Sequence, residues 1–400
     1  MDNEIEELQA MLKEDPYNFQ VRRTLSIVLL DNGFNQEAKQ NLLYLVRTFP
    51  DNAELLYNLG IAYEKLGEYE KAERAYLRAI VISPETDFYY NLGLTYIEMK
   101  EWGKAIVALK HVIDTEPDDG NAYFNVGMCF FNKEEYEVAI EYFQKAGELN
   151  PQDLFAHFYL GNIFKILGQP DIAIYEFQKV LEIAPDYSWA YFNLGSIAYE
   201  QGNTEAALQY LHQTVKYNPH DVQAYMLMIQ IYITQMRMTE AMDVIMPALE
   251  NNPQSGDLHY ILSQIFKLNG DDENYEKYIA AAITNHNNLT LPFEKIKKEY
   301  SEIKAKMDAI RAEEAKIQAQ QISSNNIDQQ NDFAEEDSDE TISEDTDNYD
   351  EDDDNSFDNS NDDEDLLQDE DDDYDEDFED DDGEYDNSQD DYDDSDDYDS

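Results

Sequence analysis

Residues Ala53–Glu85 read AELLYNLGIAYEKLGEYEKAERAYLRAIVISPE. Leu56, Leu59, Gly60 and Tyr63 are spaced three, one and three residues apart, which places them on one face of a helix with 3.6 residues per turn. Gly67 follows, a residue suited to the left-handed turn that ends a helix. Ala72, Tyr76 and Ala79 form a second stripe, and Pro84 stops it. Two short amphipathic helices cannot bury their apolar faces alone. They need neighbours of the same kind, so the stretch predicts a repeat.

The repeat is present. Pro16, Pro50, Pro84, Pro117, Pro151, Pro185, Pro219 and Pro253 recur every 34 residues, with one gap of 33 after Pro84. Ala38, Ala72, Ala105, Ala139, Ala173, Ala207 and Ala241 each precede a proline by twelve residues. Leu59-Gly60, Leu92-Gly93, Val126-Gly127, Leu160-Gly161 and Leu194-Gly195 mark the first helices. In period and pattern the chain resembles the tetratricopeptide repeat (TPR) family over residues 1–289. The resemblance implies an all-α fold, a TPR α-solenoid built as a right-handed superhelix of helix-turn-helix repeats. Eight repeats are expected near 19–52, 53–85, 86–119, 120–153, 154–187, 188–221, 222–255 and 256–289, with residues 1–18 as an N-terminal capping helix carrying Ile5, Leu8, Met11 and Leu12 on one face. The first repeat departs from the pattern at Arg22 and Ser26, the seventh at Met228-Ile229 and Pro247, and the eighth at Tyr275. A proline inside a helix removes a hydrogen bond and kinks the helix.

Residues 290–321 carry no repeat. Ile296, Tyr300, Ile303, Met307, Ile310 and Ile317 form a heptad-like stripe broken by Glu314, in the one basic segment of the chain. A helix capping the last repeat is expected there; a coiled-coil arm is the alternative. Residues 322–331 read as a polar linker into an acidic tail. The chain has a net charge of −63, and Asp332–Ser400 holds 40 acidic residues and no Lys or Arg, which leaves 50 acidic against 27 basic before it. Repulsion and hydration keep such a tail disordered, even studded with Tyr349, Phe357, Tyr374 and Phe378. So negative a body argues against binding the nucleic-acid backbone. The N-terminus lacks an apolar leader and no stretch of about 18 apolar residues exists, so no membrane span and a cytoplasmic location are expected. The lone Cys129 allows no internal disulfide and reads as a buried thiol.

No phosphate loop, zinc motif or nucleophile elbow is present, and the six histidines are scattered, so no enzyme, metal or cofactor is expected. The candidate site is a surface. Numbering each repeat from the start of its first helix, positions 4, 7, 8 and 11 face the core and positions 2, 6, 9 and 13 face away from it. In the TPR family that outer side lines the concave groove. Position 6 supplies Asn58, Asn91, Asn125, Tyr159 and Asn193; Phe158 and Phe192 flank it at position 5, Phe155 and Trp189 stand at position 2, and Asn162 at position 9. An Asn amide offers a donor and an acceptor to any peptide backbone, and aromatics are common binding anchors. The column resembles the asparagine ladder in the TPR superhelix of O-linked N-acetylglucosamine transferases. Glu54, Asp87 and Asn121 at position 2, with no Lys or Arg at position 6, do not fit the basic clamp by which some TPR proteins hold a C-terminal carboxylate. The expectation is a non-enzymatic adaptor that binds a protein or peptide segment in its groove. The alternative is a chaperone or buffer for basic proteins acting through the tail. Inherited consensus with no use of the groove is the blander reading of the Asn column, and a monomer the simpler state.

Overall fold

In a computed structural model the backbone is described for residues 2–333 and side chains for residues 4–321. The expected acidic tail, from residue 334 on, lies outside the described residues. The chain divides into two units, and the first, Met1–Asn325, contains the solenoid. All regular structure among the described residues is helical. Helix α1 (Asp2–Glu14) is followed by eight helix pairs: α2 (Phe19–Asp31) and α3 (Asn35–Thr48), α4 (Ala53–Lys65) and α5 (Tyr69–Ile82), α6 (Thr86–Glu98) and α7 (Trp102–Thr115), α8 (Gly120–Asn132) and α9 (Tyr136–Leu149). The series continues with α10 (Leu154–Ile166) and α11 (Pro170–Ile183), α12 (Ser188–Glu200) and α13 (Thr204–Tyr217), α14 (Val222–Thr234) and α15 (Met238–Asn251), α16 (Gly256–Leu268) and α17 (Asp272–Thr284). A short 3-10 turn (His286–Asn288) leads to α18 (Phe293–Phe333).

The local chemistry of each repeat sets these boundaries. Two residues after most of the repeat prolines comes Asn18, Asn52, Asp119, Asp153, Asp221 or Ser255, whose side chain accepts a hydrogen bond from the first turn of the next helix. The 33-residue repeat has lost the residue that would do this. Glu85 precedes α6 and gives no side-chain cap. Between the paired helices a residue with φ near +60° to +80° turns the chain. Gly33, Gly67, Gly168, Gly202 and Gly270 fill this place in five repeats, but Lys100, Glu134 and Met236 hold it in three. A side chain in that conformation costs about 1–2 kcal/mol. Met236→Gly is therefore expected to stabilise the C-terminal repeats by about 1 kcal/mol, read as a raised urea midpoint.

The seven pattern alanines, from Ala38 to Ala241, are fully buried. They meet a layer of Tyr76, Leu109, Phe143, Phe177 and Leu211, against which the first-helix glycines lie flat. A Cβ on Gly60 would come within 2.5 Å of the Tyr76 ring. Met228 and Ile229 occupy the Leu-Gly positions of the seventh repeat and are buried there. Pro247 lies inside α15, which nonetheless continues to Asn251. Ser26 is buried and satisfies itself by donating to the Arg22 carbonyl at 2.8 Å, while Arg22 lies 4.3 Å over the Tyr44 ring. Cys129 is buried, and burial pushes its thiol up to about 12.

At the start of the stack, Ile5 packs with Leu25, Leu29 and Ala38, with Leu8 and Leu12 beside them, whereas Met11 is half exposed and does not join that face. At the other end Ile296 and Ile303 of α18 pack against Tyr275, Ile279 and Ala282, but Ile310 and Ile317 are exposed. Tyr275 stands where other repeats carry Ala because its neighbour is α18 and not another repeat. Its hydroxyl donates to Glu299 at 3.2 Å. Tyr260, Gln264 and Lys267 also donate to this carboxylate. The helix runs on through residues 322–333, the stretch that reads as a linker. No Gly or Pro between Phe293 and Phe333 ends it.

Partial burial of Glu299 raises its pKa, but the bonds from Gln264 and Lys267 outweigh this, and the carboxyl sits below its ordinary value. A depressed folded pKa contributes stability above the unfolded value, and that stability is lost as pH falls through the folded one. Hydrogen-exchange protection factors across residues 293–307, corrected for the intrinsic pH dependence of amide exchange, are therefore expected to fall on acidification below about pH 4, the ordinary Glu range. Glu299→Gln should remove that part of the pH dependence; an unchanged profile in the variant would assign it to other carboxylates.

Candidate functional site: the outer face of the first helices

Successive first helices bring their position-6 residues into line, and the structure shows what each does. Asn91 donates its amide to the Tyr57 hydroxyl at 2.8 Å, and Asn125 donates to Tyr90 at 3.1 Å. Each bond joins position 6 of one repeat to position 5 of the repeat before it. Part of the Asn column thus stitches neighbouring repeats together. Burial, the largest cause, raises the pKa of both Tyr57 and Tyr90. Asn58 is half buried at the start of the column.

Tyr159 replaces Asn in the fifth repeat. Its ring stacks on Phe143 (5.3 Å, 10°) and meets Phe131 and Phe158 edge-on, so most of it belongs to the core rather than to an open surface. Phe158 is likewise engaged by Phe177 and Tyr187, and Phe192 packs against the next repeats. Asn193 departs furthest from the expectation of a ligand-facing amide. It is buried, donates to the Trp189 carbonyl at 3.0 Å and accepts from Lys165 Nζ at 3.1 Å. Both ends of its amide are used inside the protein. The 100° rule places a side chain on a face, but the neighbouring helix decides whether it stays open.

Phe155 and Trp189 do stay open, at 49% and 51% exposure. They stand one repeat apart, with Ile166 exposed nearby in sequence at the end of α10. Asn162, Ile166, Asn193 and Glu200, all at positions 6, 9 or 13, line a hollow of about 460 Å³ together with Phe131 and Lys165. Lys165, at position 12, was outside the sequence-derived column. The signal was a Lys in a position held by Leu30, Glu64, Ile97, Phe131, Tyr199 and Ile233 in other repeats, and shared only with Lys267 of the last. Its ammonium donates to Asn193 and, at 3.0 Å, to Ser196, whose hydroxyl donates to Glu200. Burial lowers its pKa, and Glu200 partly opposes this.

A second hollow of about 940 Å³ continues along Phe192, Met226, Leu227 and Gln230 to the loop at Asn287–Thr290. That loop folds back onto the eighth repeat. Asp257, at position 2, is buried and accepts from the Thr290 backbone at 3.0 Å and from its hydroxyl at 2.6 Å. The position that carries Phe155 and Trp189, three and two repeats earlier, is thus used here to close the surface.

Among the described residues no cluster of three or more His, Cys, Asp or Glu is arranged to hold a metal ion, and no helix is long and apolar enough to cross a membrane.

No curated protein sequence matches the chain. Among solved structures, similar chains include MamA residues 41–end from Desulfovibrio magneticus RS-1, at 28% identity, 42% of this chain, 96% of that one and a TM-score of 0.41. YrrB, described as a TPR protein with an unusual peptide-binding site, is 23% identical over 46% of this chain and 95% of its own, with a TM-score of 0.40. A tetratricopeptide repeat protein from Parabacteroides merdae ATCC 43184 is 16% identical over 63% of this chain and 98% of its own, with a TM-score of 0.45. Tetratricopeptide repeat family models match residues 23–86, 86–119, 120–153 and 198–265, and a TPR repeat model matches residues 161–202. With these matches over more than half of its length, the chain belongs to the tetratricopeptide repeat family.

Proposed function

We propose that this protein is a non-enzymatic interaction scaffold that holds a segment of a partner protein against the concave face of its repeats. One observation carries the reading: Phe155 and Trp189 remain half exposed on consecutive first helices, α10 and α12, and the same two helices line a hollow containing Lys165. Exposed aromatics that rim polar groups suit the centre of an interface. Phe155, Trp189 and Phe192 are the apolar anchors, and Asn162 and Lys165 offer donors to a peptide backbone. Asn58, Asn91 and Asn125 extend the track toward the N-terminal repeats through their carbonyl oxygens. Asn193 and Tyr159 shape the site from beneath, and Phe158 supports the ring cluster.

Affinity capture with the full chain and with a Phe155→Ala/Trp189→Ala variant, quantified by mass spectrometry, tests the reading. A partner set that is retained at moderate salt and depleted by the variant supports it. The same set on both baits excludes this face. The 40 acidic residues from Asp332 to Ser400 favour a second reading, a buffer for basic proteins. Its partners would be basic, indifferent to the double variant and lost as salt rises.

A further inference from the structure

The fourth repeat lacks a side chain that every other repeat has. Position 28, on the second helix, is Val, Ile or Leu from Val46 in the first repeat to Ile283 in the last, but Gly147 in α9. Glycine inside a helix is unfavourable, and packing does not demand it here. A Cβ built on Gly147 would lie 3.8 Å from the Ala156 Cβ and 4.0 Å from His157 Nε2, ordinary contact distances. Gly127, pressed against Phe143, is the opposite case. The missing side chain belongs to a cleft of about 880 Å³ that reaches from α9 to α11. Phe143, Leu160 and Ile183 are its apolar lining. His157 stands at its edge, its Nδ1 2.7 Å from Glu176 and its Nε2 on the Gly147 side. The His–Glu pair alone implies nothing new, since Arg22 and Asn41 make the same contact in the first repeat. The empty aliphatic position is what distinguishes this repeat. The cleft shares no lining residue with the hollow beside Lys165.

We propose that this cleft is a second docking site, a socket that receives one Leu-, Ile- or Val-sized side chain from a partner protein. The other repeats show what fits: their own aliphatic side chain at the equivalent place. The charge of the lining sets the flanks. Glu148, Glu176 and Glu182 stand against Lys179 alone, so the incoming residue has basic neighbours and not acidic ones.

Disulfide trapping on the full chain tests this. Gln152→Cys puts a thiol on the exposed rim, while the native Cys129 is buried and stays unreactive. Mixed disulfides ending in isobutyl, hydroxyethyl and carboxymethyl groups are then challenged with increasing reductant and read by mass spectrometry. The isobutyl adduct is expected to survive about tenfold more reductant than the hydroxyethyl one, and the carboxymethyl adduct least. Gly147→Leu, the residue found at this position in the fifth and seventh repeats, should abolish the preference without lowering the melting temperature. Gly147→Ala, which adds a single carbon at contact distance, should weaken it. Equal survival of the three adducts, or a preference unchanged by Gly147→Leu, overturns the socket. Self-association of the unmodified chain that Gly147→Leu abolishes, seen by sedimentation, would make the occupant a second copy and overturn the separate partner.

Discussion

Phe143→Ala is expected to cost about 3–5 kcal/mol of local stability and to split the unfolding of the solenoid into two steps. The ring is fully buried in α9 and ties three helices together. It covers Gly127 of α8, where a Cβ would be only 3.0 Å away, stacks on Tyr159 of α10 and meets Phe124 at 5.5 Å. Alanine leaves a cavity, because a flat glycine face and a stacked ring cannot both collapse into it. In a stack where each repeat contacts only its neighbours, weakening one interface uncouples the two sides. Urea unfolding followed by hydrogen exchange should show residues 120–166 opening before the flanking repeats. Phe143→Leu is the control. Leu109 and Leu211 fill the same place in other repeats, so this change should cost much less. A single cooperative transition at the native midpoint in Phe143→Ala would refute the role given to this ring.

Trp189→Ala is expected to weaken the partner captured on the concave face by about 2 kcal/mol or more, roughly thirtyfold in Kd. Trp189 has half of its surface in water, so folding does not use its full apolar area. The melting temperature should therefore shift little, since exposed substitutions usually stay within about 0.5 kcal/mol. The separation of binding from stability is the diagnostic feature. The bond between Trp189 and Asn193 uses the Trp189 main-chain carbonyl, which alanine keeps. The geometry that presents Lys165 to the hollow is preserved as well. Trp189→Phe should retain most of the affinity. Calorimetric titration with the purified partner and a thermal melt of each variant give both quantities. Unchanged affinity in Trp189→Ala would move the site off this face.

The two substitutions probe opposite kinds of position, and the chain shows why they differ in legibility. Phe143, Gly127 and Ala139 recur at a fixed period, and their contacts lie within one repeat or its neighbour. A 34-residue repeat with turns at 3.6 residues assigns every such residue to the core, and the all-helical solenoid follows from the sequence alone. The local stops were legible for the same reason. Proline, an Asn or Asp two residues later and a glycine between helices act on their own backbone.

The surface was only half legible. Periodicity pointed the Asn column, Phe155 and Trp189 outward, but it could not tell an open side chain from one spent on the next helix. Asn91, Asn125 and Asn193 are bonded across repeats, to Tyr57, Tyr90 and Lys165. Those bonds depend on how far one helix is displaced along its neighbour and on which rotamer each long side chain takes. Neither quantity is written in a spacing rule. The same holds for Glu299, whose four donors come from α16 and α17, and for Gly147. Its identity is plain in the sequence, but the cleft it belongs to exists only once α9, α10 and α11 are packed. The sequence by itself determined the repeat, its core and its helix ends, because these rest on local geometry repeated many times. Which outward residues remain free, and where a cation and a cleft lie, was decided by tertiary packing, because each depends on one non-repeated contact between helices.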